Sequence, residues 1–86
     1  MEKRFKIVED KYIITKDENN KEVQYNCNID KVKRIDCNQT RTDWGSKFTI
    51  VIFPEIYPPI TVYYGSNEEL CRKDFYVLQQ ILFLPF

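Results

Sequence analysis

The stretch ITVYYGSNEELCRKDFYVLQQIL, residues 60–82, changes its apolar period halfway along. In its first part Ile60, Val62 and Tyr64 alternate with Thr61 and Tyr63. A period of two places the two sets on opposite faces of a strand. After Gly65 the spacing lengthens. Cys71, Phe75, Leu78 and Leu82 stand at i, i+4, i+7 and i+11, flanked by Leu70, Val77 and Ile81. That spacing predicts an amphipathic helix with one apolar stripe. Ser66-Asn67-Glu68-Glu69 reads as a capping box, with Ser66 as N-cap and Glu69 three residues on. Acidic residues in the first turn suit the helix dipole, and Pro85 ends the segment.

Upstream of this stretch the chain reads as strands. Lys47 to Phe53 is apolar on both faces, with Phe48, Ile50 and Ile52 on one and Val51 and Phe53 on the other. Such a strand is expected to be central and covered on both sides. Pro54 stops it, and Glu55 to Pro59 forms a proline-bounded loop, since proline cannot donate to a sheet ladder. Asn38 to Ser46 reads as a polar loop holding the sole tryptophan, Trp44. Ile29 to Ile35 reads as a tight turn that tucks Ile29 and Val32 inward and feeds a strand through Ile35 and Cys37. Val23, Tyr25 and Cys27 alternate against Gln24 and Asn26. Asp17 to Lys21 is a polar hairpin loop, preceded by strands at Phe5–Val8 and Tyr12–Thr15. The expected fold is α+β and mostly β, a single domain over residues 1–86. It would be an antiparallel bent sheet or partial barrel of about six strands, closed by one C-terminal amphipathic helix.

Length and composition bound the function. Eighty-six residues suffice for one domain, and a 43% hydrophobic, 15% aromatic composition can fill a small core. Thirteen basic and thirteen acidic side chains cancel. A neutral domain lacks the broad positive field that drives binding to phosphate backbones, so nucleic acid and acidic membranes are disfavoured partners. Three widely spaced cysteines, Cys27, Cys37 and Cys71, do not make a disulfide framework or a Cys-x-x-Cys pair. No apolar run follows the N-terminus, and no stretch reaches the length of a membrane span. These features predict free thiols in a reducing cytoplasm. Asn38-Gln39-Thr40 fits a glycosylation acceptor that such a location would leave unused. The richness in Lys, Asn and Ile suits an AT-rich bacterial or phage genome.

The chain contains no histidine. That removes the commonest general base, the Ser-His-Asp arrangement and most zinc sites. No glycine-rich loop offers a phosphate cradle. The cysteines could join a carboxylate around a metal, but they fit apolar faces, and free cysteine is among the most buried residue types. No catalytic residue, cofactor or metal is therefore expected. A pair of converging carboxylates is the one remaining route to an enzyme.

Binding candidates remain. Trp44, with Arg41 and Gly45, belongs to the longest polar loop. Trp and Arg are enriched at interface hot spots, whereas a loop tryptophan can also plug the end of a small barrel. Lys31, Lys33 and Arg34 are the densest basic cluster, which Arg41 and Lys47 could approach, while Asp30 and Asp36 dilute it. It reads either as an anion site or as an ordinary charged turn. Tyr57 and Ile56 sit between prolines and either meet a partner or close the core edge. Phe83, Leu84 and Phe86 either dock on the sheet or mark a dimer contact. An open sheet would add an unpaired edge strand.

Ile29-Asp30-Lys31-Val32-Lys33-Arg34-Ile35, Phe48-Thr49-Ile50-Val51-Ile52 and Ser66 through Leu82 follow one another in an order that resembles the small bacterial pleckstrin-homology-like domains. The resemblance is one of pattern and covers about half the chain. It implies a bent sheet or partial barrel with a helix closing one end, and a binding role toward lipid, peptide or protein. Three departures stand out. The first hairpin loop, Asp17 to Lys21, is short and acidic where phosphoinositide-binding members are basic. The helix lacks the tryptophan typical of the eukaryotic family, a place Phe75 can fill. The chain is about one strand short of the full barrel. The expected function is a non-catalytic protein-interaction module. Its partner is an unidentified protein or a second copy of the chain, bound through a sheet edge or the Trp44 loop. The alternative is an anion-binding domain built on Lys31, Lys33 and Arg34.

Overall fold

The alternating segments form strands and the C-terminal stripe forms a helix. The computed structural model describes residues 4–83. Its elements are β1 (Phe5–Val8), β2 (Tyr12–Lys16), β3 (Glu22–Asn26), a 3-10 turn (Ile29–Lys31), β4 (Val32–Thr42), β5 (Gly45–Pro54), β6 (Ile60–Gly65) and α1 (Glu68–Phe83). The described strands form two separate antiparallel sheets of three, β1-β2-β3 and β4-β5-β6, not one continuous bent sheet or a closed barrel. The break falls at the 3-10 turn, which redirects the chain after β3. Pro85 and the apolar tail residues Leu84 and Phe86 lie outside the described residues.

Tight turns set each hairpin. Between β1 and β2, Glu9 and Asp10 both take left-handed backbone angles, with φ of 54° and 56°. The N–H of Lys11 donates to the Val8 carbonyl at 3.1 Å. Two consecutive left-handed residues give the turn whose twist matches paired strands. Between β2 and β3, Asp17 Oδ1 accepts the N–H groups of Asn19 at 2.8 Å and Lys21 at 2.9 Å. Asn20 supplies the positive φ of 67°. The hairpin loop expected at Asp17 to Lys21 is present and Asp17 organises it.

The region Asn38 to Ser46 is not a loop. β4 and β5 stay paired from Asn38↔Thr49 through Thr40↔Lys47 to Thr42↔Gly45. Polar residues there mark a ladder exposed to water, because Thr, Asn and Gln side chains hydrogen-bond to solvent without breaking strand geometry. Gln39 Nε2 donates across the pair to Ser46 Oγ at 2.9 Å. The turn itself contains only Asp43 and Trp44.

A single apolar cluster joins both sheets to the helix. Phe5 and Ile13 come from the first sheet, Ile50, Ile52 and Val62 from the second, and Leu78 from α1. β5 is central in its sheet, but only one of its faces is fully covered. Phe48, Ile50 and Ile52 are buried, whereas Val51 and Phe53 on the other face are half-buried. The Arg34 guanidinium lies over the Phe53 ring, 4.3 Å from its centroid. The expected double cover is thus a snorkelling side chain on one side.

Helix α1 starts one residue later than the capping box suggests. Asn67 Oδ1 accepts the Leu70 N–H at 3.1 Å, and the Asn67 carbonyl accepts the Cys71 N–H at 3.2 Å. Asn67 is therefore the N-cap, a position for which Asn equals or exceeds Ser. On the buried side of α1, Asp74 is 2% exposed. Tyr64 Oη donates to Asp74 Oδ2 at 2.7 Å, and the Arg4 backbone N–H donates to the same oxygen at 3.3 Å. The Arg4 side chain donates to the Tyr63 carbonyl at 2.8 Å, to the Asp17 carbonyl at 2.9 Å and to Asn20 Oδ1. This network ties the helix, β6 and the β2–β3 loop to the start of β1.

Two measurements check this arrangement. Asn67→Ala should cost about 1 kcal/mol of stability, while Ser66→Ala should stay within about 0.5 kcal/mol, both read from urea midpoints. Burial and the hydrogen bond to Asp74 push the Tyr64 phenol well above its ordinary 10.0. Burial, then the neighbouring Cys37 thiol, pushes Cys71 from 9.0 up to about 12. Both groups stay protonated in the fold after they have ionised in the unfolded chain. Their stabilisation is therefore complete below pH 9 and falls as pH rises toward 12. Tyr64→Phe should lose about 1–3 kcal/mol at neutral pH, since it takes the shorter of two hydrogen bonds from a buried carboxyl and leaves only that of the Arg4 amide. It should also lose stability less steeply than the wild type above pH 10.

Candidate interaction surfaces

The sequence candidates separate into two groups at opposite ends of β4 and β5. At one end, the turn is fastened by Thr42. Its Oγ1 donates to the Gly45 carbonyl at 2.8 Å and accepts the Trp44 N–H at 3.2 Å. Gly45 has a φ of 122°, a region that L side chains rarely adopt. The turn therefore needs glycine after the tryptophan. Trp44 is 96% exposed. Of the two readings of this residue, the plug of a barrel end is ruled out by that exposure. Arg41 lies opposite Ser46 and is also exposed.

The other group gathers around the 3-10 turn. The Glu55 N–H donates to the Lys31 carbonyl at 2.8 Å, which binds the proline-bounded loop to that turn. Ile56 is 82% exposed and Tyr57 58% exposed, so this loop does not close the core edge. Prolines at both sides restrict the backbone and hold the loop outward. Lys31, Ile56 and Tyr57 share a cleft of about 410 Å³ with Lys11, Tyr12 and Asn26. Lys33 and Arg34 follow at the start of β4, across a register shift between Val32 and Arg34. Arg34 Nε lies 3.6 Å from Asp36 Oδ2.

These positions decide whether a continuous basic patch exists. Arg34 and Arg41 are seven residues apart on one strand, about 23 Å at the usual rise. Arg41 and Lys47 therefore do not join Lys31, Lys33 and Arg34. Arg34 is engaged by Phe53 and Asp36. What remains at that end is a lysine pair beside an exposed tyrosine.

Two features carry no mark in the sequence. β4 pairs with β5 alone among the described strands, so its outer edge offers unpaired backbone groups. No residue type identifies such an edge, because the peptide groups make the bonds. A groove of about 930 Å³ also opens between the first loop and α1, with Phe48 and Leu70 apolar and Lys16, Asn20 and Lys47 polar. The polar run Asp17 to Lys21 beside it reads as an ordinary hairpin loop and does not mark it.

Among the described residues, no group of three Cys, Asp or Glu is placed to hold a metal ion. Nor, among them, is any helix long and apolar enough to cross a membrane. Burial, then the nearby Asp30, raises the Cys27 thiol above its ordinary value. No protein family, curated protein or solved structure matches the chain.

The exposure of Trp44 is directly measurable because no other tryptophan is present. In the dilute single chain its emission should be that of an indole in water, quenched freely by acrylamide. Trp44→Ala should change folding stability by less than about 0.5 kcal/mol, as for a surface site outside the core.

Proposed function

We propose that this chain is a non-catalytic protein-interaction module of a bacterial or phage cytoplasm. It engages its partner through the β4–β5 hairpin, using the Trp44 tip and the open edge of β4. The observation that carries this reading is a fully exposed tryptophan on a fastened two-residue turn. A large indole in water is unfavourable, and the free energy is recovered when a partner covers it. The turn is already ordered, so little conformational entropy is lost on binding. Arg41 beside it adds a residue type enriched at hot spots.

The β4 edge supports the same end of the molecule. From Arg34 to Thr42 it is paired without a further register shift and contains no proline. Bulges and prolines normally blunt an edge, and this one lacks both, keeping only the charges of Arg34, Asp36 and Arg41. An extended segment of a partner, or β4 of a second copy, can add to it by main-chain hydrogen bonds. The two-sheet, one-helix arrangement is compatible with a pleckstrin-homology-like fold, whose members bind proteins and peptides among other ligands. Fold alone does not select among them.

The anion-binding alternative draws on Lys31, Lys33 and Arg34. The roughly 23 Å to Arg41 along β4 weakens it, as does the contact between Arg34 and Asp36. Tyr57 beside Lys31 instead suits a second protein contact.

Paired capture experiments from the source cells test the reading. Immobilised wild-type chain should retain a protein that Trp44→Ala loses, with affinity weakened about 30-fold or more, as for a hot spot. Sedimentation of both forms over a dilution series covers the self-association case. If neither form retains a protein and both sediment alike as monomers, the interaction reading falls.

A further inference from the structure

Cys37 lies on β4 and Cys71 on the first turns of α1, yet their Sγ atoms are 3.5 Å apart. The register explains the meeting. Cys37 pairs with Ile50 at the centre of the β4–β5 ladder and shares the side on which α1 packs. Two thiols at that distance are in van der Waals contact. A disulfide needs about 2.05 Å, so closure asks for a movement of about 1.5 Å, within the reach of side-chain rotation and slight helix adjustment. From these contacts we infer that Cys37 and Cys71 are an oxidation site for low-molecular-weight disulfides, closing to a bond that staples α1 to the edge strand β4.

The two cysteines have different roles. Cys37 is half-buried and reachable, whereas Cys71 has no exposed surface. The deprotonated Cys37 sulfur attacks one sulfur of the small disulfide. This forms a mixed disulfide on Cys37 and releases one small thiolate. Cys71 then attacks Cys37 Sγ, and its proton passes to the second small thiolate as that group leaves. One small disulfide is reduced to two thiols, and two protein thiols are oxidised to one disulfide. Two electrons pass, and the released thiolates take up the protons. Burial holds the Cys71 thiol protonated, so the first attack belongs to Cys37. Cys27 takes no part. It is buried after β3, with its Sγ 3.5 Å from the Asn28 carbonyl.

Closure would cross-link positions 34 residues apart. Restricting the unfolded chain by a loop of that size should lower the unfolding equilibrium constant by roughly several hundredfold. The bond also fixes the helix against the strand whose outer edge is open. A reducing compartment keeps the pair as thiols until small disulfides accumulate.

The test treats the native full chain with oxidised glutathione, alkylates the remaining thiols and maps tryptic peptides by mass spectrometry. The expected product joins the peptide Ile35–Arg41 to Phe48–Arg72, with Cys27 alone alkylated. Dithiothreitol should restore both thiols, and the oxidised chain should resist urea more strongly. Cys71→Ser should stop at a glutathione adduct on Cys37. The wild-type peptide map decides the matter even if that variant folds poorly. Three alkylated cysteines after prolonged exposure, a bond that includes Cys27, or cross-links only between chains would each overturn the assignment.

Discussion

Asp74 Oδ2 is the point at which three separate pieces of chain are held together. It accepts the Tyr64 hydroxyl from β6 and the Arg4 amide from the entrance to β1, while its own backbone belongs to α1. A carboxyl group at 2% exposure is costly to bury unless its hydrogen bonds are made. Each partner is therefore needed where it stands. The Arg4 side chain extends the join to the β6 backbone and the first hairpin loop. Apolar burial alone leaves two small sheets free to slide, because it has no direction. The polar join supplies direction, and with it the angle at which the sheets and helix meet.

From that junction the core follows by alternation. Ile50 and Ile52 on β5 and Val62 on β6 are fully buried because they share the face that α1 and the first sheet cover. β5 then continues past the core without a break in register, pairing with β4 to the end at Thr42↔Gly45. The hairpin tip is therefore positioned by residues that are themselves packed. A loop of the same composition would leave Trp44 mobile, whereas a ladder continuous with the core holds it outward.

Much of the fold is legible in the residues because periodicity reports burial on one face. The alternation at Ile60 to Tyr64, the stripe from Cys71 to Leu82 and the break at Asp17 to Lys21 each correspond to an observed element. Periodicity fails where neither face is buried. Asn38 to Ser46 carries no apolar alternation, so a water-exposed ladder looks like a loop. The N-cap differs by one position because Ser66 and Asn67 are both good caps, and only the backbone path after Gly65 chooses between them. The division into two sheets is hidden for another reason. Strand number follows from local pattern, but which strands pair is decided by contacts distant in sequence. Arg4 and Asp74 are 70 positions apart, and nothing local marks either as a partner.

The surfaces also divide according to this physics. Trp44 and Tyr57 stand out in the sequence as aromatic residues in polar or proline-rich surroundings, and both are exposed. The basic residues look like one cluster only if β4 is short. An eleven-residue strand separates them and sets Arg41 beside Trp44 instead. β4 thus carries the lysine-bearing end, the Cys37 contact with the helix, the open backbone edge and the approach to the tip. Its inner ladder to β5 is what makes these features rigid relative to one another.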